Sequence, residues 1–550
     1  MLYFLLLLLC SVTFSNQTED DWKLVHTTQG PVRGRKDPDG IYVFYGIPYA
    51  TAPTAEDKFK APLPPPKWEE PLDAIDKGVV CPQALFGAQA SKLSIQEDCL
   101  IANIYVPDTE EKNLSVMVHI HGGALRYGFG NSYTAKNLMK SKKLIVVNFN
   151  YRLGIHGFLC LGTESVPGNA GFKDMIAALR WVKKNIASFG GNPNDVTISG
   201  YSAGATAADL LILSKSSQGL FQKVIIESGS NLAAFAVQLN PLQNAKTHAK
   251  SLNFTGDPND MNLVEKFYTY ASYETLTKQA FKPRKDSTYL FTACVERDIG
   301  TNEVFLHDSP INILQKGDFI KVPMLYGFAN MEGLLRIPNF DIWSNDMDKM
   351  FFDYLPGDLA FNSDTEKYEV AKKIKEFYFH EEPVSRNNII GYVNYFTDVM
   401  AAYPSLKSVQ LNLQSGNKRI YLYEYSFVDD DTPFVPYTKI KGASHCAQTL
   451  AVLDGVSETN SDERNASLEL QNMKTIMREM WHNFITNGEP VPQNSSLPGW
   501  PAVSASKSSY MSLGQAVELR EGLLSDRVGF WSDVYDKHYR QPVPPPVSQF

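Results

Sequence analysis

Apolar residues recur along this chain in two patterns that alternate. Short β-branched runs at 116–120 and 144–149 read as buried strands. Between Gly171 and Phe189, apolar Phe172, Ile176, Leu179, Val182, Ile186 and Phe189 return every three or four positions, the spacing of a helix with one buried face. Gly190-Gly191-Asn192-Pro193 ends that helix. Residues 196–199 then read as a strand, 200–204 as a tight turn, 205–213 as a helix and 224–226 as another strand. Later strands are predicted over 322–327 and 420–427, and a long helix over 468–485. Strands alternating with amphipathic helices predict an α/β fold, a large, mostly parallel sheet with helices on both faces. With no repeat, linker or low-complexity tract before the Pro-rich last residues, 16–550 reads as one domain.

The first residues follow a different rule. A leucine run at 5–9 is flanked by small Thr13 and Ser15, and polar Ser15, Asn16, Gln17 and Thr18 end it well short of the roughly 18 apolar residues a membrane span needs. A signal peptide over 1–15, cleaved after Ser15, is expected, and with it secretion to the extracellular space. Asn113, Asn253, Asn465 and Asn494 match the glycan-acceptor triplet, as does Asn16 if it survives beside the cleavage site. Of six cysteines, Cys10 would leave with the signal. The odd remainder, Cys81, Cys99, Cys160, Cys294 and Cys446, leaves at least one thiol free or paired between chains.

Composition narrows the function by exclusion. Lys and Arg total 52 against 60 Asp and Glu, a net charge of −8, and no dense basic run occurs, which argues against nucleic acid as a partner. No second apolar segment approaches a membrane span. The absence of H-E-x-x-H, of a Walker A loop and of clustered Cys and His at ligand spacing agrees with chemistry that needs no metal or organic cofactor.

What remains is a nucleophile, a base and an acid. Gly200-Tyr201-Ser202-Ala203-Gly204 matches G-x-S-x-G between a predicted strand and a predicted helix. In that context the two glycines permit a sharp turn that lifts the Ser202 hydroxyl off the strand tip. A serine of ordinary pKa needs a base and preorganised N–H donors for the oxyanion. His121-Gly122-Gly123-Ala124 after the 116–120 strand supplies a Gly-rich loop. Its Gly123 and Ala124 amides, with that of Ala203 at the start of the helix, are the candidate oxyanion donors, and His121 is read as a brace for the loop. If the order is Ser, acid, His, the base is sought among His248, His307, His380, His445, His482 and His538. Only His445 lies in a small-residue loop, Gly442-Ala443-Ser444-His445, shortly after a strand. His482 sits in a helix beside Trp481, and His380 and His538 lie in charged contexts. Glu332 follows the 322–327 strand closely enough to project from its C-terminal edge and orient His445.

Taken together with Gly30-Pro-Val-Arg-Gly34, Tyr45-Gly-Ile-Pro-Tyr-Ala50, Glu97-Asp-Cys-Leu100, Asn150-Tyr-Arg-Leu-Gly154, Gly168-Asn-Ala-Gly171 and Phe189-Gly-Gly-Asn-Pro193, these motifs make nearly the whole mature chain resemble the type-B carboxylesterase/cholinesterase family, and most closely the secreted insect carboxylesterases. The resemblance implies an α/β-hydrolase fold and a triad of Ser202, Glu332 and His445. It also implies an oxyanion hole of Gly123, Ala124 and Ala203, a Cys81–Cys99 disulfide, a second serine, Ser228, near the acid, and a buried Arg152–Asp174 ion pair. The expected partner is a small or medium carboxylic ester, cleaved through an acyl-enzyme without a cofactor. A silent adhesion-type member and a lipase-like or ligand-sequestering member are the alternatives. Departures from the family pattern are Tyr201 before the nucleophile, where Glu or Gln is common, Cys446-Ala447-Gln448 after the base, Lys58 in place of Arg, and Cys294, whose family partner is missing from its sequence neighbourhood.

Overall fold

β-branched runs become the middle of the molecule because a strand covered on both faces must be apolar on both. In the computed structural model, which describes residues 21–85, 90–278, 282–300, 303–455, 463–504 and 507–546, all seven residues of Leu114–Ile120 and all six of Leu144–Phe149 are buried. The expected signal segment 1–15 and Asn16 lie outside the described residues.

Trp22–His26 (β1), Pro31–Lys36 (β2), Ile41–Pro48 (β3) and Ile101–Pro107 (β4) form an antiparallel edge. Leu114–Ile120 (β5), Leu144–Phe149 (β6), Gly191–Tyr201 (β7), Lys223–Glu227 (β8), Met324–Ala329 (β9), Ile420–Tyr425 (β10) and Ser509–Leu513 (β11) make the parallel body, and antiparallel Val517–Glu521 (β12) closes the far edge. The order across the sheet is β1-β2-β3-β4-β6-β5-β7-β8-β9-β10-β11-β12, with Leu72–Asp73 pairing on β2 as the thirteenth strand. The chain steps back from β6 over β5 to reach β7. β5, β7 and β8 are therefore neighbours, and their C-terminal ends open on one side, where α/β sheets place their sites.

Strand periodicity divides the core. Val116, Val118 and Ile120 pack on one face with Phe172, Ile176, Leu179 and Val182 of the helix Ala170–Asn185 (α1) and with Ala203–Leu211 (α2). Met117, between them in sequence, packs on the other face with Met473, Met477, Met480 and Trp481 of Leu468–Asn487 (α3). A third cluster, rich in aromatics, gathers Phe340, Trp343, Tyr354, Tyr392, Tyr395 and Trp531 from the helical region that follows β9 and from the C-terminal helix.

The structure adjusts several expected boundaries. The helix expected to Phe189 ends at Asn185 and continues as a 3-10 turn, Ile186–Phe189. β7 starts at Gly191 because that residue already pairs with Leu114. β9 starts two residues later than expected and runs to Ala329, two residues nearer Glu332.

Arg152 and Asp174 form the expected ion pair, with Nε on Oδ2 at 2.8 Å and Nη2 on Oδ1 at 2.6 Å. The guanidinium also donates to the carbonyls of Lys58 and Lys60, so the buried charges are fully bonded. Lys58 gives its ammonium to backbone carbonyls, among them that of Ala271 at 3.1 Å.

Cys81 and Cys99 are disulfide-bonded, and Cys446 is the free thiol. The expectation that Cys294 lacks a partner is corrected: it bonds Cys160, 134 residues away in sequence. Distance along the chain hides the pairing. In space, Asn169 brings the two segments together by donating Nδ2 to the Cys294 carbonyl and accepting its N–H, at 2.8 and 2.9 Å. Asn113, Asn253, Asn465 and Asn494 are all solvent-exposed. Among the described residues no helix is long and apolar enough to cross a membrane, and no cluster of His, Cys, Asp and Glu could hold a metal.

Closing a 134-residue loop removes about 5 kcal/mol of chain entropy from the unfolded state on the loop-closure model. The double variant Cys160→Ser/Cys294→Ser should therefore lose several kcal/mol in denaturant unfolding. Peptide mapping of the unreduced wild type should find one free thiol, at Cys446.

Candidate active site

β7 ends at Tyr201 and α2 begins at Ala203, so Ser202 alone makes the turn, at φ 55° and ψ −128°. A non-glycine residue in this region carries strain of about 1–3 kcal/mol and persists only where its surroundings impose it. Here the Ser202 N–H donates to the Glu227 carbonyl at the tip of β8, at 2.8 Å. The backbones beside it are too close for side chains: a Cβ on Gly200 would lie 2.3 Å from the Gly204 carbonyl oxygen, and one on Gly204 would lie 2.2 Å from that of Ile120. The two glycines are thus a packing requirement, and the half-buried Ser202 hydroxyl stands above the sheet's C-terminal edge.

His445 meets Ser202 from a loop beyond β10. Its Nε2 is 2.8 Å from Ser202 Oγ, and its Nδ1 is hydrogen-bonded to Glu332 Oε2. Glu332 is buried, and its other oxygen accepts the Ala329 N–H at 2.8 Å and the Ser228 hydroxyl. An N–H can only donate, so the carboxylate is the acceptor. His445 Nδ1 then carries the proton and Nε2 is left to accept from Ser202.

The spacing between acid and base is set by residues the sequence did not single out. The Ala443 N–H donates to Asn330 Oδ1 at 2.9 Å, and the Met331 N–H to the Ala443 carbonyl at 3.1 Å, so the base loop is tied to the turn that carries Glu332. Gln448 donates to Ser228 Oγ from below, and Ser228 stands beside the acid as expected. Glu227, whose carbonyl holds Ser202, buries its side chain against Tyr423 and Thr449, and burial pushes its pKa up to about 8. At neutral pH it is therefore mostly protonated, and Glu332 is the carboxylate paired with His445. Burial acts to lower the His445 pKa, but the neighbouring Cys446 sulfur and the Glu332 carboxylate outweigh it and hold the imidazole well above the usual histidine range. Because burial also raises the Cys446 thiol, Glu332 is the charge responsible at neutral pH.

The Gly122-Gly123-Ala124 loop lies against the elbow, where a Cβ on Gly122 would fall 2.8 Å from the Tyr201 carbonyl oxygen. Gly123 has φ 104°, and a Cβ there would lie 1.9 Å from the Tyr127 carbonyl oxygen. The N–H groups of Arg126 and Tyr127 both bond the Gly123 carbonyl. Among the described residues the N–H groups of Gly123, Ala124 and Ala203 donate to nothing, which leaves three donors open beside Ser202. His121 is a brace, as expected. Its Nδ1 bonds the Gly122 carbonyl at 2.8 Å, its ring stacks on Tyr151, and burial lowers its pKa to about 4. None of the other candidate histidines hydrogen-bonds Ser202.

Tyr201 makes an uncharged wall where an acid or amide was the family expectation, stacking on His119 and meeting Tyr133 edge-on at 5.0 Å. Beyond His445 a groove of about 780 Å³ runs outward past Leu334, Ile337, Tyr425 and Phe427 to exposed Phe434 and Leu450.

With this geometry in place, comparison with known proteins assigns the lineage. The profile of the Carboxylesterase family matches residues 21–531. The chain belongs to that family. Esterase FE4 of Myzus persicae is 32% identical over 498 residues, covering 86% of this carboxylesterase-family chain and 84% of the relative. A carboxylic ester hydrolase of Bombus ignitus is 32% identical over 559 residues, covering 96% and 97%. Among solved structures, the juvenile hormone esterase of Manduca sexta, with OTFP covalently attached, superposes at a TM-score of 0.82 with 29% identity, covering 94% of this chain and 100% of that one. The sheet order and the elbow are those of the α/β-hydrolase fold that this family shares.

The ionisation pattern makes a prediction. If Glu332 raises His445, the His445 imidazole signal in NMR should titrate above 6.5 in the wild type. In Glu332→Gln it should titrate lower, because the carboxylate that offsets burial is then gone.

Proposed function

We propose that this chain is a secreted serine carboxylic-ester hydrolase working through an acyl-enzyme on small to medium esters. The observation that carries the reading is the unbroken hydrogen-bond chain from Ser202 Oγ through His445 to Glu332, beside three unused N–H donors. In this mechanism Ser202 Oγ attacks the ester carbonyl carbon while its proton passes to His445 Nε2. Negative charge on the carbonyl oxygen is met by the N–H groups of Gly123, Ala124 and Ala203, which are aimed before the reaction begins. The tetrahedral intermediate collapses as the imidazolium returns the proton to the leaving alkoxide, and an acyl-Ser202 ester remains. Water then gives a proton to Nε2 and attacks that ester, releasing the carboxylic acid and restoring Ser202. Glu332 stays ionised and holds the imidazolium in place.

Export fits the same reading. Two disulfides suit an oxidising compartment. The four acceptor asparagines are exposed and open to glycans, and cleavage after Ser15 would free the mature chain. An intact triad speaks against the silent adhesion-type alternative.

The purified protein, assayed on 4-nitrophenyl esters of rising acyl length, should show a burst and then steady turnover. Ser202→Ala should lower kcat on the order of 10⁶-fold, and Glu332→Gln about 10⁴-fold. Turnover that survives Ser202→Ala, or none in the wild type, would sink the reading.

A further inference from the structure

Among the described residues, one buried cation on the segment that carries the acid has no counter-ion. Arg336 lies on the 3-10 helix Glu332–Asn339, four residues beyond the acid, and is only 3% exposed. Its Nε is buried without a hydrogen-bond partner. Among the described residues no carboxylate stands within ion-pair distance of it. Asp286, the acid that acts on it electrostatically, is already held by Arg284 through both oxygens, at 3.0 and 2.6 Å, and by Thr288. The guanidinium carbon lies 5.9 Å from the Trp343 ring, and Tyr289, Tyr392 and Tyr127 are near enough to act on it electrostatically. A guanidinium desolvated among aromatic rings without an anion loses hydration that little replaces, and it becomes favourable once an anion arrives to take its fork of donors.

Its placement says where such an anion would belong. Tyr127 follows the Gly123 and Ala124 amides on the oxyanion loop. On the 3-10 helix, Leu334 and Ile337 are three residues apart and line the groove that begins at His445, whereas Gly333 and Arg336 share a different face, with Gly333 tight against the Val393 backbone. The leaving alcohol must lie toward His445, which returns its proton. The groove is therefore assigned to the alcohol, and the face of the 3-10 helix turned away from it, which carries Arg336, to the acyl chain.

We propose that Arg336 is a specificity-determining residue that binds a carboxylate at the far end of the acyl chain, so that half-esters of dicarboxylic acids are the preferred substrates. The inference rests on the esterase reading above. No acid or base chemistry is asked of Arg336. It holds the anion and thereby orients the acyl chain over Ser202.

The test compares 4-nitrophenyl monoesters of glutaric, adipic and pimelic acids with neutral 4-nitrophenyl esters of the same carbon number, in the wild type, Arg336→Lys and Arg336→Met. The quantity read is the ratio of kcat/KM for the anionic ester to that for the neutral one. It should fall by about 10- to 100-fold in Arg336→Met, mainly through KM, and stand between in Arg336→Lys, which keeps the charge but not the fork. A second measurement needs no variant: free adipate should inhibit the wild type competitively at least about tenfold more strongly than hexanoate. An unchanged ratio in Arg336→Met, or equal inhibition by the two acids, overturns the inference. Turnover of neutral esters without any preference for anionic ones sinks this inference and leaves the esterase reading standing. Absence of serine-dependent turnover on both kinds sinks the esterase reading itself.

Discussion

Everything at the site depends on how closely three backbones approach one another at the ends of β5, β7 and β8. The Ser202 N–H reaches the Glu227 carbonyl on β8, while Gly204, at the start of α2, lies against the Ile120 carbonyl on β5. Parallel strands tolerate this contact because their side chains leave the sheet plane and pack into α1, α2 and α3, so the sheet is rigid at the point where the chain is strained. The positive φ at Ser202 is thus sustained by a core too well packed to relax it. The amides proposed as oxyanion donors follow from the same contact, since β5 leads straight into the Gly122-Gly123-Ala124 loop and α2 begins with the Ala203 amide.

Above that platform the charges are arranged by burial. Glu227 and Asp209 are carboxyls pushed upward, to about 8 and about 7, by desolvation that their hydrogen bonds only partly offset. At Glu332 a backbone N–H and two side-chain partners converge on the carboxylate oxygens. Deep in the same core, Arg152 and Asp174 are satisfied by each other and by the Lys58 and Lys60 carbonyls. Against that background Arg336 stands apart, a buried guanidinium whose Nε has no partner.

How much of this could be read from the chain depended on whether a residue belongs to a pattern. β5, β6 and α1 were legible because burial on both faces, or on one helical stripe, writes itself into the sequence as runs or periods. The edges were not: β12 is largely exposed and carries no apolar signature, and β7 gained its first residues through pairing at Gly191 that a Gly-Gly-Asn-Pro stretch conceals. At the site, Ser202 was marked by its glycines and His445 by its small-residue loop, and Glu332 by its nearness to a strand end. Asn330, Gln448, Glu227 and Arg336 were invisible because each is a single polar residue whose role comes from a neighbour far away in sequence. The Cys160–Cys294 bridge was missed for the same reason, its partners being joined by Asn169 across 134 residues.

The central claim is that Ser202, and no other nucleophile, is activated by this arrangement. Reaction of the intact protein with a fluorophosphonate, followed by mass spectrometry of the proteolysed chain, tests it most directly. The account predicts one adduct per molecule, on the peptide carrying Ser202, with labelling that slows as the pH falls through the raised titration of His445. An adduct elsewhere, or labelling of Ser202 that is indifferent to pH, would contradict it.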